Sequence, residues 1–135
     1  MLRFVLAAVA ALAPAAAPTA ASADFLTENY LMVQPGPRGT FSIPFRGESG
    51  AAAFWCAAGD YTIRGLNLPP ATRIYRTSEP PRRSGQGIAF SLSPADAASS
   101  TGLATFGTQN SLSAAHAREL CNVGRSFLIF GDDDD

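Results

Sequence analysis

Alternating apolar and polar positions predict several short β-strands. The clearest pattern covers 40–46 (TFSIPFR), where Phe41, Ile43 and Phe45 share one face and the intervening residues share the other. Pro44 has no N–H for a ladder hydrogen bond, so we expect this strand at a sheet edge or at a bulge. Similar patterns predict further strands at 30–34, 72–78 and 88–93.

Apolar residues at intervals of three and four predict a long helix over 51–66 (AAAFWCAAGDYTIRGL). Its stripe consists of Ala52, Cys56, Gly59, Ile63 and Leu66. Ser49 is a candidate N-cap, and Gly65 is the expected left-handed residue at the C-terminal end. Asp60 and Arg64 lie four residues apart on the polar side, which predicts a weak ion pair.

A second main helix is predicted over about 112–123, with Gly124 at its end. Its stripe consists of Leu112, His116, Leu120 and Val123, and Cys121 lies on the flank. Between the two helices, Ser93 followed by Pro94 is typical of the start of a short helix. The last apolar run, 125–130 (RSFLIF), predicts a central strand.

The order of these elements predicts an α+β fold. We expect a two-layer sandwich, with a mainly antiparallel sheet of about five strands and two main helices on one face. The folded unit is predicted to be a single domain over 24–131, followed by an acidic, unstructured tail at 132–135.

Residues 1–23 have the pattern of a secretory signal peptide. Arg3 gives the positive end, an apolar alanine-rich stretch follows, and small residues lead to a predicted cleavage between Ala23 and Asp24. The apolar stretch is too short and too interrupted by proline for a stable membrane span. The sequence therefore predicts a periplasmic or secreted protein, without a stable membrane span after cleavage.

Charge and composition give no indication of nucleic-acid binding, and no such partner is predicted. All ten basic residues are arginine, a usage that indicates GC-rich coding and a bacterial source, and after removal of 1–23 nine arginines face eleven acidic residues, a net charge of −2. The charge is uneven: seven arginines and three acids from Arg38 to Arg83 give +4, and two arginines and six acids from Ser84 onward give −4.

The only two cysteines, Cys56 and Cys121, are predicted to form a structural disulfide. Each lies on a predicted apolar helix, and exported proteins keep disulfides. The bond would close a loop of 121 − 56 = 65 residues, for which chain entropy gives a stabilisation of about 4 kcal/mol.

The alternative is a small thiol hydrolase that uses Cys56 with His116. A nucleophilic cysteine usually lies at a helix start, where its pKa is lowered, whereas Cys56 is predicted mid-helix between apolar neighbours. The chain has one histidine and no CxxC pair, so no metal site and no cofactor are predicted. The favoured interpretation is a non-catalytic binding or structural module.

The segment 73–83 holds the candidate binding residues, which are Arg73, Tyr75, Arg76, Arg82 and Arg83. Arginine stays charged and binds carboxylate or phosphate groups through two parallel hydrogen bonds. We therefore expect an anionic or protein partner, either a cell-envelope component or another exported protein. The alternative is that these arginines are solvated charges of a loop and an edge strand, where they also deter edge-to-edge aggregation, and have no binding role.

In size, leader and single predicted disulfide, the chain is similar to small bacterial periplasmic proteins, lysozyme-inhibitor-like proteins among them. That likeness covers no motif and implies no site residues.

Overall fold

The computed structural model describes residues 8–14, 23–47, 50–104 and 108–123. Six antiparallel strands form one sheet in the order β1-β2-β3-β5-β4-β6. They are β1 (Phe25–Leu26), β2 (Met32–Pro35), β3 (Thr40–Ile43), β4 (Arg73–Arg76), β5 (Ile88–Ser91) and β6 (Ser111–Ser113). With two helices and one disulfide, this arrangement confirms the α+β prediction, and six strands are close to the expected five.

The strand at 40–46 is shorter and more central than the sequence predicts. β3 pairs with β2 on one side and with β5 on the other, so it is not an edge strand. It ends at Ile43, because Pro44 cannot continue the ladder. Phe45 therefore leaves the core-facing row and is 40 % exposed.

The first main helix, α1 (Ala51–Asp60), continues into a wider π-helical turn at Tyr61–Gly65. Every residue from Phe54 to Thr62 is buried, as expected for a helix that is apolar over most of its circumference. The helix begins at Gly50 without a side-chain cap, and the candidate cap Ser49 lies outside the described residues.

The predicted role of Gly65 is wrong. The left-handed position after the helix belongs to Asn67, with φ of 52°. Gly65 is instead a point of close packing, because a Cβ there would lie 2.6 Å from the Tyr61 ring.

The second helix, α2 (Ala114–Glu119), is shorter than predicted. Leu112 belongs to β6, and the Ser113 side chain caps the helix by accepting the His116 N–H at 3.2 Å. The strand predicted at 125–130 lies outside the described residues. The short helix after Ser93 is a single 3₁₀ turn (Pro94–Asp96), with the Ser93 side chain as its cap.

The core lies between α1 and one face of the sheet. Trp55 of α1 packs edge-to-face on Phe90 of β5, with 5.0 Å between the ring centroids. Phe41 of β3 stacks on Phe90 and meets the edge of Tyr61. α2 then packs against α1, so the segments that carry the cysteines are adjacent.

No helix within the described ranges combines the length and hydrophobicity that a membrane crossing requires.

Candidate functional site

The absence of a side chain at Gly59 lets α1 and α2 approach closely beside the disulfide. An added Cβ at Gly59 would lie 2.5 Å from the backbone N of Arg118 and 2.7 Å from the backbone O of Ala114. Cys56 and Cys121 are bonded, with their Cα atoms 4.8 Å apart. The predicted disulfide is confirmed, and it fixes the helix pair covalently.

The disulfide bears directly on the alternative thiol hydrolase. Both sulfur atoms are committed to the bond, so a thiolate nucleophile at Cys56 requires prior reduction. Cys56 is also 1 % exposed, which separates its sulfur from a substrate in solution. His116 lies exposed on α2.

A buried carboxylate, Asp60, connects three parts of the chain at the end of α1. It accepts hydrogen bonds from Nε and Nη2 of Arg64, both at 2.5 Å, which confirms the predicted pair. Asp60 is fully buried, however, so its predicted position on the polar side of the helix is wrong. Its second contact is the Glu28 N–H at 2.9 Å. Arg118 of α2 lies 3.6 Å away and also reaches the Glu28 carboxylate at 3.4 Å. This ionic cluster joins the β1–β2 connection to both helices.

The ionised form of Asp60 is favoured despite its burial. Burial alone would raise the pKa of Asp60, but the hydrogen bonds from Arg64 and the Glu28 N–H, with the charges of Arg64 and Arg118, bring the pKa below its usual value. A group with a lowered folded-state pKa stabilises the fold above its unfolded pKa, and that contribution disappears as the pH falls through the folded pKa.

Asp60→Asn is therefore expected to reduce the free energy of unfolding at neutral pH by about 1–3 kcal/mol. The lower part of that range applies if solvent screens Arg64, which is 44 % exposed. The deficit should shrink below about pH 4, where Asp60 of the unfolded wild-type chain becomes protonated. Denaturant melts at pH 7, 4 and 3 would measure it, and a deficit that grows on acidification would contradict the assignment.

Glu28 brings a third potential metal ligand to the disulfide. One of its carboxylate oxygens and the two sulfur atoms all lie within 4.8 Å of one another. A shallow surface groove lies beside Glu28, between this residue and the exposed side of α2. The residues that line the groove are Glu28, Ile63, Pro70, Ala115, Arg118, Glu119 and Asn122.

The candidate arginines of 73–83 do not lie on one surface. Arg76 is 1 % exposed, on the same side of β4 as the core residue Ile74. Its Nε donates to the Ser78 carbonyl at 2.7 Å and its Nη1 to the Thr101 carbonyl at 3.2 Å. Burial, and more weakly the charge of Arg82, lower the pKa of Arg76 although Glu79 opposes the change. Arg76 anchors the 98–102 segment and is not available on the surface.

Arg73 and Tyr75 occupy the opposite face of β4, as their alternation with Ile74 and Arg76 predicts. Arg73 donates through Nη2 to the carbonyl and hydroxyl oxygens of Ser111, at 3.1 and 2.7 Å. Arg73 is the first residue of β4 and lies beside β6. The loop that carries Arg82 and Arg83 follows the other end of β4.

Arg82 is held in a fixed orientation by two aromatic rings. Its guanidinium carbon lies 5.3 Å from the centre of the Phe45 ring and 5.2 Å from that of Phe54. Its Nη1 also donates to the Gln86 carbonyl at 2.8 Å. Arg83 and Arg46, the chain neighbours of Arg82 and Phe45, are both exposed. We call Phe45, Arg46, Arg82 and Arg83 the arginine surface.

Sequence reasoning missed Phe45, Arg46 and Glu28 as site residues. Arg82 meets Phe45 because β3 and β5 pair as far as Ile43 and Ile88, which brings the chain after β3 next to the chain before β5. This pairing is a property of the tertiary fold, so the sequence carried no local signal for Phe45 and Arg46. Glu28 had none, because its position depends on a backbone hydrogen bond to Asp60.

No family model matches the chain, and the searches of curated proteins and of solved structures found no significant match.

Proposed function

We propose that this protein is an exported, non-catalytic binding module that engages an acidic segment of a protein partner through the arginine surface. The observation that carries the proposal is the guanidinium of Arg82, which lies over the rings of Phe45 and Phe54 and precedes the exposed Arg83 in the chain. Export is supported by the leader-like residues 1–23 and by the disulfide, since oxidising compartments preserve such bonds.

Orientation is what distinguishes this surface from a set of solvated charges. A flexible arginine loses side-chain entropy on binding, whereas stacking on two rings has already restricted Arg82. Phe54 is fully buried, so the stack is attached to the core. Glu79, the acidic residue of the same loop, holds the backbone and side chain of Ser99 at 2.9 and 2.7 Å, and these hydrogen bonds lower its pKa.

The partly exposed ring of Phe45 favours a protein over a lipid or a polymer. Arginine and aromatic side chains are enriched together at the centres of protein interfaces, where an apolar contact accompanies the charge pairing. Phe45 is 40 % exposed beside Arg82, which provides such a combination. An acidic segment with one apolar side chain is the complementary partner.

Charge-removing substitutions at the exposed arginines should weaken binding without unfolding the protein. We expect Arg83→Gln with Arg46→Gln to lower the affinity for the partner at least tenfold, with most of the difference lost at high salt. Arg82 is retained, since its contact with Phe54 gives it a part in stability. Arg38→Gln, a change at another exposed arginine, is the matched control and should bind like the wild type.

The partner is to be found by placing a photo-crosslinking amino acid at Gln86, an exposed position in the same loop, in the exporting cell. Poly-L-glutamate and vesicles containing phosphatidylglycerol serve as defined anionic probes for the purified chain. A crosslinked protein that the double variant fails to capture would support the proposal. Binding to vesicles without any crosslinked protein, or equal capture by the double variant and the control, would overturn it.

A further inference from the structure

We propose that reduction of the Cys56–Cys121 disulfide creates a binding site for a thiophilic divalent cation, of which Zn²⁺ is the typical case. The protein ligands would be the two thiolates and the Glu28 carboxylate. The juxtaposition behind this proposal is the cluster already described, in which the three ligand atoms lie within 4.8 Å of one another.

The distances suit a zinc site after small side-chain rotations. Zinc–sulfur bonds of about 2.3 Å and zinc–oxygen bonds of about 2.0–2.2 Å place tetrahedral ligand atoms roughly 3.4–3.8 Å apart. The bonded sulfur atoms must separate and Glu28 must approach, each by a distance within the reach of a side chain. With Cα atoms 4.8 Å apart, Cys56 and Cys121 are close enough for both sulfur atoms to reach one ion.

The position of Glu28 does not depend on the disulfide. Its N–H donates to Asp60, and the next residue, Asn29, donates through its side chain to the Ala53 carbonyl at 2.9 Å. Both contacts attach this connection to α1, the helix that carries Cys56. In the wild-type chain α2 also packs closely on α1 at Gly59, so this contact supports the position of Cys121 in addition to the sulfur–sulfur bond.

The charges around the cluster suit a thiolate-rich site. Two thiolates and one carboxylate carry −3, and a divalent cation leaves −1. The Arg118 guanidinium, 3.4 Å from the Glu28 carboxylate, offsets that remaining charge. Glu28 and Cys121 are both partly exposed, so a water molecule can complete four ligands. The ion would then have both a balanced environment and an entry path.

The chemistry balances with a dithiol as reductant. The dithiol passes two electrons and two protons to the disulfide and becomes a disulfide itself, and Cys56 and Cys121 become thiols. Binding of the cation then releases both thiol protons to solvent. Affinity should therefore rise with pH, and the oxidised protein should have no comparable site.

The test uses the full chain, reduced with a dithiol and freed of it by anaerobic desalting. Titration with Co²⁺, which gives thiolate charge-transfer absorption, and with Zn²⁺ by calorimetry should show one equivalent bound to the reduced chain and none to the oxidised chain. Glu28→Gln should weaken binding at least tenfold. The matched control Glu119→Gln, another carboxylate of the groove, should stay within about twofold of the wild type.

Loss of the disulfide also destabilises the fold, so a second measurement is needed. Thermal melts of the reduced chain should shift upward with Zn²⁺ for the wild type and for Glu119→Gln, but not for Glu28→Gln. If the reduced chain were unfolded, its two thiols would bind zinc equally well with and without the Glu28 carboxylate. Equal binding by wild type and Glu28→Gln, or no binding by the reduced chain, would overturn the proposal.

Discussion

Replacing both cysteines, Cys56→Ala with Cys121→Ala, should lower the free energy of unfolding by about 4 kcal/mol. The bond spans a sequence separation of 65 that contains β4, β5 and β6, so its loss frees the segment that carries three of the six strands in the unfolded state. Since a small domain has a net stability of about 5–15 kcal/mol, this is the largest single effect we expect. Denaturant unfolding with a common m-value measures it.

Comparing the double alanine variant with both the reduced and the oxidised wild-type chain separates the effect of the covalent link from the effect of lost side-chain volume. The reduced wild-type chain should unfold at nearly the same denaturant concentration as the double alanine variant, because both lack the link. The two single variants are unsuitable, since each leaves an unpaired thiol. A double variant within about 1 kcal/mol of the oxidised wild type would show that the disulfide has little structural importance.

The second large effect is expected from Gly59→Ala, which should cost about 3 kcal/mol, at the upper end of typical overpacking penalties. Alanine is intrinsically the better helix former by about 1 kcal/mol. However, the new methyl group would lie 2.5 Å from the backbone N of Arg118 and 2.7 Å from the backbone O of Ala114, and backbone atoms cannot rotate away. The disulfide also prevents α2 from moving outward.

Gly50→Ala is the matched control for this substitution. A Cβ at Gly50 would meet nothing within 4 Å, so the change there should stay below about 1 kcal/mol. Combining Gly59→Ala with the double alanine variant adds a coupling test. The penalty at Gly59 should fall once α2 is free to withdraw, and an undiminished penalty would contradict the role of the disulfide as a restraint.

The elements that the sequence predicted well are those with repeated patterns. Strict alternation located β3 and β4, and it also placed Arg76 on the same side as Ile74. That alternation already indicated burial of Arg76, although its charge grouped it with the surface arginines. The Asp60–Arg64 pair was predicted from another local pattern, the spacing of four residues that brings side chains together on a helix.

The elements that the sequence did not predict are those that form only through contacts with distant parts of the chain. β1 has two residues and β6 has three, too few for any period, and they are strands because they pair with β2 and β4. The contact of Arg82 with Phe45 and Phe54 likewise joins three separate segments. Such long-range contacts depend on the tertiary fold, so local patterns in the sequence do not contain them.

The most direct test of this account is a non-reducing tryptic map of the protein isolated from its native compartment with thiols blocked. Cleavage after arginine should give residues 47–64 linked through Cys56 to residues 119–125 through Cys121, and reduction should separate them. The same map should contain residues 24–38 with Asp24 as the first residue. Blocked thiols on both cysteines, or a peptide that extends from Phe4 to Arg38, would contradict an exported protein whose helices are joined by a disulfide.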